Sequence, residues 1–205
     1  MRLPLAIDCL QGYQLEASLF ANDSNFYAGS MSAEAAQKTS RNIRLCDTFN
    51  IPIVSLVDEP GFLIGPDAEK AGTILHGTEA VLATTESTVP WTTVMIRKSF
   101  GVAAAAHYGP DGYVLAWPSA ESGPLPLEGG VAVAFKKEIA QAANPEAKRK
   151  ELEEKMAKNQ NPFPRAEAFS VHEIIDPRET RRYISLWADR IQGQLKASLM
   201  KDKLI

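Results

Sequence analysis

The chain has 205 residues, 45% of them hydrophobic and 23% charged, with a formal net charge of −3. That length fits one domain with a substantial core, the composition is that of a soluble globular protein, and the mild acidity argues against a nucleic-acid partner. Cys9 and Cys46 are the only cysteines, too few for a disulfide framework, so a reducing, cytoplasmic compartment is expected. No apolar run reaches transmembrane length, and the opening residues are too short and mixed for a signal peptide.

Residues 1–15 carry no clear period. A short strand is predicted over 17–21, ending in the turn cluster of Asn22, Asp23, Ser24 and Asn25. Ser30 or Ser32 is the expected N-cap of a helix reaching about Phe49. Glu34 suits its first turn, and Ala36, Ile43, Leu45, Cys46 and Phe49 form its apolar face. Asn50 stops the helix, and Pro52 leads into a strand over 53–57. Its unbroken apolar character fits a parallel sheet covered on both faces. Asp58 and Glu59 stand at that strand's exit. They are candidates for catalytic carboxylates, but turn chemistry favours acids that face water. A long helix is predicted over 66–87, interrupted by Gly72 and Gly77, which suggest close approach of a neighbour or ligand.

The stretch 91–118 is the centre of the pattern. It starts as a strand over 92–96, breaks at Arg97-Lys98-Ser99-Phe100-Gly101, enters a helical run over 102–106, and closes with a strand over 113–117. A strand that turns into a helix presents amides without intrahelical partners at the positive end of the helix dipole. Gly101 lets a ligand approach that backbone, so the turn is suited to hold a developing oxyanion. The same small residues also serve close packing alone, and the pattern admits both readings.

A Gly/Pro-rich loop is predicted over 119–130 and a helix over 127–142. Asn144 and Pro145 cap a charged surface helix over 146–158, which ends at Asn161-Pro162-Phe163-Pro164. Residues 166–175 mix a short helix with an extended approach. Asp176, Pro177 and Glu179 open a final amphipathic helix over 180–195, followed by a basic tail. Alternating strands and helices mean α/β. The chain has no P-loop, Rossmann fingerprint or nucleophile elbow. His76, His107 and His172 are far apart without acids at ligand spacing, so no metal site is expected, and each reads as a polar or packing residue.

Several pieces, in order, resemble one family: Tyr27-Ala28-Gly29-Ser30, Val57-Asp58-Glu59-Pro60-Gly61-Phe62, His76-Gly77, Arg97-Lys98-Ser99-Phe100-Gly101, Ala116-Trp117-Pro118, Asn161-Pro162-Phe163 and Asp176-Pro177-Arg178-Glu179. Together they are similar to the second half of the carboxyltransferase (beta) subunit of biotin-dependent acyl-CoA carboxylases, of the propionyl-CoA carboxylase type. The resemblance implies a crotonase-like (ClpP/crotonase) β-β-α superhelix, one half-domain over 18–196. Residues 1–17 are left unassigned and 197–205 form a tail. It implies carboxyl transfer between N-carboxybiotin and an acyl-CoA. This chain would supply the biotin side, and a first-half polypeptide the acyl-CoA side.

Carried onto this sequence, the oxyanion hole for the biotin ureido oxygen is formed by the backbone amides of Val102 and Ala103 after Gly101. Gly61, Phe62 and Arg97 are assigned to the biotin side. Arg97 is equally suited to a structural ion pair. Val102 stands where many members carry a second glycine. Biotin would arrive on a biotin carboxyl carrier protein or biotin carboxylase subunit, within a homo- or hetero-oligomer. Two other readings share these residues: the carboxyltransferase of a biotin-dependent decarboxylase, and a truncated half that acts only in assembly.

Overall fold

The structure, a computed structural model, describes residues 5–8 and 14–202. Among them, seven strands form one sheet with the order β1-β2-β3-β4-β5-β7, and β6 pairs with β4. The strands are β1 (Leu5–Asp8), β2 (Gln14–Ala21), β3 (Ile53–Glu59), β4 (Trp91–Phe100), β5 (Tyr113–Ala116), β6 (Glu121–Gly123) and β7 (Glu173–Ile174). Only β1 and β2 pair antiparallel; the other pairings are parallel. Parallel strands need crossovers, and helices α1 (Ala33–Thr48) and α3 (Thr73–Glu86) supply the first two.

Side chains of β3 alternate between two apolar layers. Ile53 packs with Ile43 and Cys46 of α1, Ala83 of α3 and Trp91. Val54 packs with Trp187, Ala188, Ile191 and Leu195 of the final helix, α9 (Thr180–Asp202). The sheet is therefore covered on both faces, as the continuous apolar runs predict.

Several local predictions need correction. Ser32, not Ser30, caps α1, its hydroxyl accepting from the Ala35 amide at 3.2 Å. The helix expected over 66–87 is two helices, α2 (Pro66–Lys70) and α3, separated at Gly72, whose φ of 74° is left-handed. Gly77 stays inside α3. A Cβ there would sit 2.3 Å from the Phe62 ring, so this glycine admits a neighbour rather than breaking the helix.

The helix expected over 127–142 is likewise divided, into α5 (Leu127–Ala134) and α6 (Lys136–Gln141), at Phe135. β6 lies in the stretch read as loop. Residues 162–167 form a short helix, α8 (Pro162–Glu167), capped by Asn161. The charged helix α7 (Pro145–Ala157) buries only Leu152 and carries the ion pairs Lys148–Glu138 and Arg149–Glu153 on its surface. α9 continues beyond Leu195 to Asp202.

Strand β4 does not end at Arg97. The β3–β4 register runs from Val57↔Met95 to Glu59↔Ser99, so two residues of β3 span four of β4. That bulge around Arg97 and Lys98 kinks the strand, and pairing resumes before Gly101.

Candidate functional site

The register pair Glu59↔Ser99 organises the carboxyl ends of the two central strands. Gly61 lies two residues beyond Glu59, and Gly101 two residues beyond Ser99. The chain turns at both glycines with left-handed backbone, φ 132° at Gly61 and 65° at Gly101. The two turns therefore leave neighbouring parallel strands at the same edge, where ligands of parallel α/β sheets bind.

The second turn feeds the short helix α4 (Gly101–Ala105). Its N-cap is Phe100, which has no side-chain acceptor for the first amides. Val102 is 66% exposed at the turn, while Ala103 and Ala106 are buried against Met31, Ala36 and Ala80. The Val102 amide thus stands at the exposed end of the helix, whereas Ala103, predicted to supply a second open amide, is fully buried beneath it. A Cβ at Gly101 would meet only the Pro124 carbonyl oxygen, at 3.5 Å, and one at Gly61 would meet nothing within 4 Å.

At the first turn, the Met31 amide donates to Gly61 O at 3.0 Å, and the Leu63 amide donates to Met31 O at 2.9 Å. Phe62 therefore bridges Met31 in parallel fashion, and its own N–H and C=O face the opposite side. Its half-buried ring packs against Gly77 and within the cluster of Met31, Ala80 and Ala103. The Gly61 amide is already used, donating to Glu59 Oε1 at 3.1 Å. Phe62 and Gly61 thus shape the turn through packing and an internal bond, and only the Phe62 amide is directed away from that scaffold.

Arg97 lies beside this edge in an ion pair with Asp58. Its Nε donates to Oδ1 at 3.0 Å and Oδ2 at 3.1 Å, and its Nη2 lies 3.0 Å from Oδ2. Asp58 Oδ1 also accepts from the Lys98 amide at 3.1 Å. The acids predicted to face water do not. Asp58 closes the bulge, and Glu59 is fully buried, accepting from the Met31 and Gly61 amides and from Asn22 Nδ2. Sequence reasoning had no signal for this, because two of the three partners of Glu59 lie 28 and 37 residues away.

The three histidines occupy separate places. His76 bonds Gln37 and Glu79 at the surface, His172 Nδ1 accepts from the Val114 amide, and His107 is fully buried. Beside the turn, Ser99 and Tyr108 share a 2.7 Å hydrogen bond, and burial pushes the Tyr108 hydroxyl pKa up.

Paired strand exits that turn around open amides, on a sheet flanked by helices, define a crotonase-fold domain. The Carboxyl transferase domain family matches residues 15–198, and the chain belongs to that family. It is 42% identical over 168 residues to the propionyl-CoA carboxylase carboxyltransferase subunit of Haloferax mediterranei, covering 80% of this chain and 32% of that protein. It is 40% identical over 171 residues to the methylmalonyl-CoA carboxyltransferase 12S subunit of Propionibacterium freudenreichii subsp. shermanii, covering 82% and 33%. The transcarboxylase 12S structure with methylmalonyl-coenzyme A and methylmalonic acid bound superposes with a TM-score of 0.79 at 37% identity, covering 89% of this chain and 35% of that one. The chain thus spans about a third of the length of the curated relatives it matches. Among the described residues, no helix is long and apolar enough to cross a membrane.

Proposed function

We propose that this chain supplies the biotin-side half of a carboxyltransferase site, moving a carboxyl group between biotin on a partner protein and an acyl-CoA held by a first-half polypeptide. The observation that carries this reading is the side-by-side placement of the Gly61 and Gly101 turns by the Glu59↔Ser99 register.

Biotin, when bound, supplies a ureido group that carries the carboxyl and whose oxygen takes up negative charge as the carboxyl leaves. The residues present suit that oxygen. The exposed Val102 amide and the outward Phe62 amide are backbone donors set before the reaction, so they stabilise charge without reorganising, and the Ala103 amide joins them once the biotin side of the turn opens to it. The lack of a Cβ at Gly61 and Gly101 leaves the backbone open to close approach. Buried Ala103 and Ala106 fix the floor of α4. Arg97 stands at the rim in its ion pair with Asp58, which offsets its charge and fixes its place beside the turn.

Association is part of the proposal. Ile64 and Val102, on the two turns, and Ile74 and Leu75, at the start of α3, are exposed apolar side chains. A surface of this kind is suited to a protein partner, and the first-half polypeptide is the partner assigned here, within an oligomer. The assigned compartment is the cytoplasm, where the buried free thiol of Cys46 stays reduced.

The test is carboxyl transfer from methylmalonyl-CoA to free biotin, with this chain alone and mixed with a separate first-half polypeptide. Turnover is expected only in the mixture. Val102→Pro removes one amide donor from the first turn of α4 at an exposed position, where a proline ring meets solvent rather than the core, and should lower turnover on the order of 100-fold or more. Absence of turnover in a mixture that forms a stable complex would overturn the proposal.

A further inference from the structure

Glu59, His107 and Ser55 are all fully buried, yet none has a part in the donor set above. Ser55 Oγ lies 3.0 Å from His107 Nδ1, and His107 Nε2 lies 3.8 Å from Glu59 Oε2. The imidazole also stacks on Phe20, with ring centroids 4.3 Å apart and planes 5° apart. The order hydroxyl, imidazole, carboxylate is that of a nucleophile, its base and an orienting acid. Complete burial excludes that role, since no substrate reaches Ser55.

The geometry places one imidazole proton. Nε2 has no hydrogen-bond partner and faces a carboxylate oxygen. A bare lone pair there would confront the lone pairs of Glu59, so a proton belongs on Nε2. The Nε2–H then points at Glu59 across a gap slightly too long for a hydrogen bond.

The two residues belong to different turns. Glu59 Oε1 accepts from the amides of Gly61 and Met31, which fixes the first turn and the segment bridged to Phe62. His107 follows α4 directly. Its amide donates to Ala104 O at 3.0 Å, and its carbonyl accepts from Thr93 Oγ1 at 2.8 Å. The five residues of α4 span only about 7.5 Å, so pinning its carboxyl end also sets the direction of its first amides. Burying a carboxylate is costly unless it is surrounded by donors; Glu59 takes its hydrogen bonds from the Met31 and Gly61 amides and from Asn22, and the second turn adds the His107 Nε2 edge, 3.8 Å from Oε2, as an electrostatic contact.

We propose that Glu59 and His107 are positioning residues that couple the Gly61 turn to the Gly101 turn, holding the two sets of amides at a fixed separation. The functional part of this inference rests on reading those amides as the donors to biotin; the coupling itself is physical and is tested separately.

The first measurement is amide hydrogen exchange by NMR on the full chain and on His107→Met, which exchanges the imidazole for an apolar side chain. His107 makes no hydrogen bond to Gly61 or Met31. Coupling predicts that both amides exchange at least about tenfold faster in the variant, while the Leu56 amide in the middle of β3 is unchanged. Unchanged Gly61 and Met31 amides would overturn the coupling, and so would an equal acceleration at Leu56, which marks global destabilisation. Should His107→Met fail to fold, Glu59→Gln gives the reciprocal reading. The amides of Ala106 and His107, which Glu59 does not touch, should then accelerate by a similar factor, and their constancy overturns the proposal.

The second measurement is the transfer assay in the mixture with the first-half polypeptide. Glu59→Gln should lower kcat on the order of 10- to 100-fold with the KM for biotin changed less than about twofold, since the lost alignment acts on developing charge. A purely structural role would lower the melting temperature and leave kcat per folded protein unchanged, and that result overturns the functional part. If the unsubstituted mixture shows no transfer, the proposed function fails, while hydrogen exchange still decides whether the two turns are coupled.

Discussion

Asp58 holds Arg97 at the place where the β3–β4 ladder slips. The carboxylate accepts from Arg97 Nε through both oxygens and, through Oδ1, from the Lys98 amide. One side chain thus replaces ladder bonds that the bulge displaces, and a local irregularity is stabilised by a partner from the neighbouring strand. The asymmetry of the pair follows. Asp58 is mostly covered, whereas half of the Arg97 side chain is exposed. Arg97→Ala should cost less than about 1 kcal/mol, as exposed ion pairs do. Asp58→Ala removes a covered acceptor shared by two donors and should cost about 1–3 kcal/mol. Urea unfolding of the two variants measures the difference, and equal costs would show that the carboxylate does not organise the bulge.

Gly77→Ala should destabilise by about 1–3 kcal/mol through overpacking, even though alanine is the better helix former. The added methyl would stand 2.3 Å from the Phe62 ring. Phe62→Leu introduced with it should recover part of that loss, which urea unfolding of the single and double variants would show. Additive losses would mean that the cost of Gly77→Ala does not arise at the Phe62 ring.

Gly101→Ala places a Cβ on a backbone with φ 65°. The left-handed conformation should cost about 1–2 kcal/mol, while Gly101→Asn should cost less because asparagine tolerates it better. The open surroundings at this position mean that the cost comes from the backbone rather than from a clash. Denaturant midpoints of the two variants check the order.

Asp176 initiates the 3₁₀ turn before α9, accepting from the Arg178 amide at 2.9 Å and pairing with the Arg178 guanidinium. Arg178 lowers its pKa from 3.8 to about 2, chiefly by side-chain hydrogen bonding and then by the backbone bond. A depressed carboxylate contributes stability that is fully present above its unfolded value. The contribution of Asp176 should therefore be present above about pH 4 and fade as the pH falls toward 2. Asp176→Asn keeps a capping oxygen but cannot ionise, so its deficit at pH 7 should shrink across that window. Urea midpoints measured against pH provide the check, and a constant difference would contradict the assignment.

Much of this arrangement is legible in the residues. The apolar runs of β3 and β4, the capped amphipathic α1 and the strand-to-helix turn at Gly101 each carry a local signal that tertiary structure keeps. The motifs around Gly61 and Gly101 carry the family. What the sequence does not disclose is pairing at a distance. Glu59 and His107 read separately as a turn acid and an isolated histidine, and only the sheet brings them 3.8 Å apart. Gly72 and Gly77 look alike as helix interruptions. Which one breaks the helix depends on where Phe62 packs, a contact that no local period encodes. The bulge at Arg97 reads as a strand end because charged residues leave the apolar pattern there, although the backbone continues through them.

The strand order also determines how this chain folds. Because β2 to β7 pair in parallel, none of those pairings can start as a hairpin, and each must close a long stretch of chain before any ladder bond rewards it. The loop-closure entropy falls in the transition state, so folding should be slow for a chain of this size, in milliseconds to seconds or longer. Until β3 and β4 meet, their apolar edges remain open to other chains. Refolding yield should therefore fall as protein concentration rises, although the native sheet is covered on both faces.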